Sequence, residues 1–224
     1  YVALTYKLRT GIFTFDPGLT VHFYNTKNTQ LGNTFERNIS DIRPNLRVNL
    51  QFKKSESLRF TFRKNTQFTD VNNLAQGYVF NNYNNIFQGN RELEAAVVNA
   101  YNLNYRSINQ FTFTNIFANA SYSKRSNSIQ SRANVNGINA IRTSTNSVFP
   151  RETFSLSGRI DKRFKNMKLN FSTRYNFSEF TNVINDQINK SESLTQNYSA
   201  SIETNFRDKP NFELGFKYNV NDYN

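Results

Sequence analysis

Along most of this chain, apolar side chains fall at every second position. From Arg43 to Lys53, Leu46, Val48, Leu50 and Phe52 share one parity, while Arg47, Asn49 and Gln51 share the other. The same alternation runs through Leu58-Phe60-Phe62, Tyr101-Leu103-Tyr105, Phe154-Leu156-Gly158-Ile160 and Leu169-Phe171-Thr173-Tyr175-Phe177. It returns in Tyr198-Ala200-Ile202-Thr204-Phe206 and Phe212-Leu214-Phe216-Tyr218-Val220. Successive strand side chains point to opposite faces, so each segment is a ribbon with one greasy and one polar side. The pattern predicts about ten β-strands, near 1–9, 18–26, 41–53, 57–66, 97–107, 110–124, 147–163, 167–180, 194–207 and 211–222. In Phe111–Tyr122 the parity slips by one, which predicts a bulge near Asn115.

The intervals between strands alternate in length. Short ones centre on Asp16-Pro17-Gly18, Lys54-Ser55-Glu56, Ser107-Ile108-Asn109, Phe164-Lys165-Asn166 and Asp208-Lys209-Pro210, rich in turn formers and charges. Long ones, at 27–40, 67–96, 125–146 and 181–193, are dominated by Asn, Gln, Ser and Thr and read as loops. The longest holds the low-complexity run FNNYNNIFQGN at 80–90. Short and long alternate throughout, as in an antiparallel meander with tight turns at one end and long loops at the other.

Two architectures use such a meander. A β-sandwich hides its apolar faces between two sheets, on strands of about 5–6 residues. An outer-membrane barrel turns the apolar face to lipid, on strands of about 9–11 residues with tight turns on one side and long loops on the other. Several alternating segments here reach that greater length. The expectation is an all-β, antiparallel, up-and-down transmembrane barrel occupying residues 1–224, in contact with outer-membrane lipid.

Composition agrees only once the faces are separated. A mean hydropathy of −0.68 suggests a soluble or disordered chain, but 22 Phe and 12 Tyr contradict disorder. The 37 Asn residues, poor in helix interiors, belong with polar faces and loops. The longest apolar runs are Tyr1–Leu4 and Ala95–Val98, far short of the roughly 20 residues of a membrane helix. No cysteine is present, and His22 is the single histidine. Thiolate and multi-histidine metal sites are therefore excluded, and no cofactor is expected. His22 falls on the polar face of LTVHFY, where a hydrogen-bonding role is expected. Tyr24, Tyr101, Tyr105, Tyr122, Tyr175, Tyr198 and Tyr218 are candidates for interfacial aromatic girdles.

The net charge of +12 divides by position. Lys53, Lys54, Lys162, Arg163, Lys165, Lys168, Arg207 and Lys209 gather at the tight turns. Arg43, Arg47, Arg59, Arg63, Arg159 and Arg174 alternate on the polar face and are the candidate lumen-facing residues. No nucleic-acid motif accompanies the charge, so no nucleic-acid partner is expected. The chain opens inside a strand and ends KYNVNDYN without a terminal aromatic. Further strands or another outer-membrane subunit are expected to complete the barrel, because open sheet edges aggregate.

The stretch from Pro44-Asn45-Leu46 through LRFTFRKNTQFTDVNNL (58–74) to FQGNRELEAAVVNAYNLNY (87–105) resembles the barrel region of TonB-dependent-receptor-like outer-membrane proteins of Bacteroidota type. That family carries a G-N-P-x-L-x-P-E motif. Gly89, Asn90 and Leu93 match it, whereas Arg91, Ala95 and Ala96 depart from it. The resemblance implies a 22-stranded barrel in the outer membrane of a Gram-negative bacterium, with a plug and TonB box upstream of Tyr1. It also implies TonB as a partner, with glycans, peptides or metal chelates as cargo. A second reading is a non-transporting structural or accessory barrel whose loops bind a partner protein. A barrel enzyme needs a nucleophile and a base; His22 stands alone and the 16 acids show no catalytic spacing, so no enzyme is expected.

Overall fold

The computed structural model describes residues 1–82, 85–137, 139–185 and 187–223. Fifteen strands among these residues join one sheet. In chain order they are β1 (Val2–Thr5), β2 (Leu8–Thr10), β3 (Phe13–Gln30), β4 (Asn33–Lys53), β5 (Glu56–Gln67), β6 (Tyr78–Asn82), β7 (Asn85–Gln88), β8 (Ala96–Asn109), β9 (Thr114–Ser126), β10 (Ile129–Asn136), β11 (Asn139–Asn146), β12 (Arg151–Phe164), β13 (Met167–Ile184), β14 (Gln187–Thr204) and β15 (Glu213–Tyr223). A single 3-10 turn, Val71–Leu74, interrupts the long connection before β6. The wall is an antiparallel meander of ten strands, counting β1 and β2 as one: β1/β2, β3, β4, β5, β8, β9, β12, β13, β14 and β15. Its two outermost members are not paired with each other.

The strands are staggered as a tilted wall requires. The row through Glu56 passes Ser107, Ile116 and Ile160 and crosses β13 at Phe171, four residues beyond Met167, where that strand leaves its turn. With the tight turns in one plane, that slip over four strand steps is about 13 Å against about 19 Å, a tilt of about 35°. Barrel closure demands an inclination of that order.

The apolar face is open. Phe23, Ile42, Phe52, Ile160, Phe171, Leu214 and Phe216 are all exposed, and the only buried apolar residues among those described are Leu93 and Ala96. Leu46, Val48 and Leu50 are half-buried and Phe52 exposed, and the described residues form no second sheet over them. A sandwich would bury these side chains; a lipid-facing wall exposes them. Phe62, Tyr101, Tyr122, Phe154 and Phe177 lie side by side on five adjacent strands of this face. Ring centroids of Phe62 and Tyr101 are 4.9 Å apart, those of Tyr101 and Tyr122 5.9 Å. Tyr105, Tyr175, Tyr198 and Tyr218 share the apolar face, but Tyr24 lies on the polar one, beside Arg43.

Several sequence expectations need correction. Asp16-Pro17-Gly18 is no turn: it lies within β3, and the first turn is at Gly11-Ile12. Pro17 has no N–H to donate, and opposite it the edge strand splits into β1 and β2, with the Tyr6 amide donating to the Pro17 carbonyl (3.0 Å). The turn expected at Ser107-Ile108-Asn109 falls instead at residues 110–113. Phe111 and Phe113 therefore belong to that turn, and β9 runs in regular register from Thr114, so there is no bulge near Asn115. The register does shift between Gln51 and Lys53. The expected loops 27–40 and 181–193 are strand. β3 and β4 meet at a two-residue turn whose residues, Leu31 (φ 50°) and Gly32 (φ 78°), both have positive φ, the geometry that continues the strand twist. β13 runs to Ile184 and β14 restarts at Gln187.

The other two connections fold into a crown. β6 and β7 form one hairpin, β10 and β11 another, and β7 pairs with β11 in parallel. Tyr83 and Asn84 of the low-complexity run lie outside the described residues. β12, at 14 residues, is shorter than the 18-residue β13, which would leave the far edge of β13 unpaired beyond Glu179. β10 takes that edge, Arg132 opposite Val183 and Ala133 opposite Ile184. The Asn185 amide donates to the Ala133 carbonyl (3.1 Å), and the Val135 amide to Asn185 Oδ1 (2.8 Å).

Candidate functional site

Strand registers decide which polar side chains become neighbours, since paired residues share a face. One row of the polar face reads Thr14, Asn49, Arg59, Asn104, Asn119, Ser157, Arg174, Asn197 and Asn219 across nine wall strands. The adjacent row toward the tight turns reads Arg106, Phe117, Arg159, Ser172, Ser199 and Lys217. These two rows floor a concavity of about 830 Å³. Short hydroxyl and amide pairs tie the floor together: Ser172 Oγ to Ser199 Oγ (2.8 Å), and Asn119 Nδ2 donating to Asn104 Oδ1 (2.6 Å).

The six candidate arginines all fall on this polar face. Arg59, Arg159 and Arg174 line the large concavity. Arg47 and Arg63 line a second of about 310 Å³ against β1, with Arg47 opposite Asp16. Arg43 stands apart in a cluster of its own. Its Nε donates to Asp41 Oδ2 (2.6 Å), its Nη2 to the Tyr24 hydroxyl (2.9 Å), and its guanidinium lies 5.7 Å from the Tyr24 ring centre. His22 faces Asp41 across the ladder but stacks on Tyr24 (5.6 Å) and makes no side-chain hydrogen bond among the described residues.

Arg106, Lys217 and Phe117 also belong to the large concavity and were not singled out from sequence. The signal existed for the two cations, which alternate with Tyr105 and Phe216. Phe117 is the instructive one: an aromatic out of phase with Ile116, Ala118 and Ala120, placed between Arg106 and Arg159. Among the described residues the lining carries five cations and no carboxylate. Only Arg159 has an acid partner among the described residues, Asp161 (2.9 and 3.0 Å). A concave, amide-lined surface of one charge sign concentrates counter-charged solutes. Among the described residues no group of three or more His, Cys, Asp or Glu could hold a metal ion.

The departing family motif sits in the crown, and its geometry explains the residues that match. A Cβ on Gly89 would collide with the Ala75 amide nitrogen and lie 2.6 Å from its carbonyl oxygen, so only glycine permits that approach. The Asn90 amide donates to the Asn73 carbonyl (2.7 Å), and Asn90 Oδ1 accepts from the Glu92 amide (2.9 Å). Leu93 is buried beneath. Asn146 then clamps Glu94 like a strand partner, accepting from its amide (2.8 Å) and donating to its carbonyl (2.9 Å).

A family model described as the outer membrane protein beta-barrel family matches residues 1–224. The chain belongs to that family, and its place is the outer membrane of a Gram-negative bacterium. No curated protein sequence matches it. Among solved structures it superposes on the FrpB iron transporter of Neisseria meningitidis (F3-3 variant), with TM-score 0.58 and 12% identity, over 97% of this chain and 36% of that one. It superposes on the copper transporter OprC with TM-score 0.59 and 11% identity, over 99% and 39%. A third is the Serratia marcescens hemophore receptor HasR, solved as a double mutant with its hemophore HasA and heme: TM-score 0.54, 13% identity, 93% and 43%. At such identities the likeness is one of fold. The chain spans less than half the length of each.

Proposed function

We propose that residues 1–224 are a wall segment of an outer-membrane importer, with the polar face toward the passage and Arg43, Arg47, Arg59, Arg63, Arg159 and Arg174 facing the lumen. The observation that carries this is the opposition of the two faces. One is an exposed aromatic surface suited to lipid; the other is a cationic, amide-lined trough without carboxylates. The solved structures of like fold are named as transporters or a receptor, and the resemblance to TonB-dependent receptors of Bacteroidota type points the same way. Glycans, peptides and metal chelates are then the cargo classes, and the charge of the trough favours anionic members. Further strands, in the same chain or another subunit, complete the cylinder, and TonB energises import through a region upstream.

The experiment is deletion of the gene followed by uptake of labelled oligosaccharides, peptides and ferric chelates. Loss of one class, restored by the wild-type gene but not by an Arg59→Asp/Arg174→Asp variant that still reaches the membrane, is the expected result. Undiminished uptake of every class would overturn it. It would leave the accessory-subunit reading, which the cross-paired crown favours because it offers a built surface rather than loose loops. Pull-down of a surface partner that needs the β6–β7 and β10–β11 hairpins would then identify that role.

A further inference from the structure

The polar face of the wall holds one side chain that its surroundings do not explain. Phe117 lies on the polar side of β9, among the amides and hydroxyls of the large concavity. It is 37% exposed, and among the described residues no second ring and no stacked cation covers it. The open ring is an apolar step in a polar floor, and an apolar surface on another molecule gains by covering it.

Register fixes what surrounds that ring. Arg106 on β8 and Arg159 on β12 stand directly opposite Phe117 on its two sides, two strand steps or about 10 Å from one another. Arg59 and Arg174 occupy the next row, four strand steps or about 19 Å apart. All four arginines are exposed, so a solute in the concavity reaches them. Arg59, Arg106 and Arg174 have no ion pair or side-chain hydrogen bond among the described residues, and Arg159 has Asp161. Like charges gathered this closely repel, and an anion lying among them relieves the repulsion. The neutral part of the floor is also open to partners: Ser157, Asn197 and Asn219 make no side-chain hydrogen bond among the described residues.

Three properties are selected together: a ring face for Phe117, acid groups spread along the row of arginines, and hydroxyls for the free amides. A guanidinium takes a carboxylate or a sulfate with two parallel bonds. A compact metal chelate reaches only the inner pair of arginines, an acidic peptide brings charge without hydroxylated rings, and a neutral glycan leaves the arginines unmet. We propose that the trough binds an acidic oligosaccharide bearing uronate or sulfate groups. Phe117 is the platform for one sugar ring, and Arg106 and Arg159 hold the acid groups beside it. The concavity, about 830 Å³, lies within the range of about 300–1,000 Å³ of small-molecule sites. This names the cargo class within the import reading and rests on its assignment of the polar face to the passage.

The test is calorimetric titration of the full-length protein in detergent with tetragalacturonate and with a galactose tetrasaccharide carrying one sulfate per ring. Their methyl-esterified and unsulfated counterparts keep the rings without charge, and N-acetyl-tetraglutamate amide keeps the charge without rings. One of the acidic sugars is expected to bind at least tenfold more tightly than either kind of control. Phe117→Ala should lower it to the level of the peptide, whereas Phe117→Tyr, which keeps the ring, should not. Arg106→Gln/Arg159→Gln should erase its advantage over the uncharged sugar. Binding by neither acidic sugar, equal binding of the peptide, or a preference that survives Phe117→Ala overturns the proposal. Failure here beside lost uptake in the deletion strain refutes the cargo class alone, whereas undiminished uptake refutes import itself.

Discussion

The half of the wall nearest the tight turns and the half beyond it are built from the same strands but answer to different surroundings. Near the turns, β13 puts Leu169-Phe171-Thr173-Tyr175 on the apolar face and Asn170-Ser172-Arg174 on the polar one, two faces of opposite character. Farther along the same strands β14 opens QINKSES and β4 opens NTFERNIS, where the alternation lapses: Thr34, Glu36, Asn38 and Ser40 occupy the face that carries Ile42, Leu46 and Val48 nearer the turns. β4 has 21 residues, about 70 Å of strand at about 3.3 Å each, whereas an inclined crossing of the bilayer uses about 9–11. The surplus persists because backbone pairing needs only a partner strand. Cross-strand polar pairs such as Asn25–Asn38 (2.8 Å), Thr29–Thr34 (3.0 Å) and Ser178–Ser193 (2.9 Å) support it. Alternation thus reports the difference between two media, not the presence of a strand.

The sharpest way to break that comparison is a charge on each face of the wall. Phe171→Arg places a cation on the lipid side and should cost about 2–4 kcal/mol near the bilayer centre. Asn170→Arg, one residue away on the polar side and opposite Asp161, should cost almost nothing. Urea unfolding from lipid vesicles measures both, and equal losses would mean the faces are assigned wrongly. A smaller effect should be confined to the crown. Gly89→Ala drives a methyl into the Ala75 backbone and should destabilise the crown by about 1–3 kcal/mol. Hydrogen exchange should then speed up at the Ala75 and Asn90 amides while β12–β13 stays protected; simultaneous loss in the wall would show the two halves to be one cooperative unit.

The smallest effect is a matter of pH. Lys190, beyond the membrane on β14, lies 2.7 Å from Glu192 and 3.2 Å from Glu179, which hold its pKa above the ordinary 10.5, Glu192 foremost. A raised folded-state pKa gives stability that is complete below the unfolded value and is lost as pH rises through the folded one. The difference between wild type and Lys190→Met in opening of the β13–β14 tip should therefore be flat from about pH 7 to 9 and shrink above about 10.5. A difference that changes within the lower window would assign it to other groups.

What could be read from the sequence follows from this contrast. The ten wall strands, the turns at Lys54-Ser55 and Lys165-Asn166 and the common face of the six arginines were visible, because each depends on a period of two set by lipid on one side. The far parts of β3, β4, β13 and β14 read as loops, since composition there follows water and only pairing makes them strands. Asp16-Pro17-Gly18 read as a turn because turn chemistry and a split edge strand use the same residues. Phe117 did not stand out at all; nothing in its neighbours along the chain said that it would lie between two arginines of other strands.

The sequence alone determined that this chain has two unlike faces and that its apolar side chains are not a core, because a strict alternation survives only where each face meets a different medium. Tertiary structure decided the rest. It set the stagger that tilts the wall, joined two hairpins distant in sequence into one crown along the free edge of β13, and brought Arg59, Phe117 and Arg174 into one trough. Those contacts link residues tens of positions apart, and registers between strands, unlike periods within them, are set only when distant segments of the chain pair.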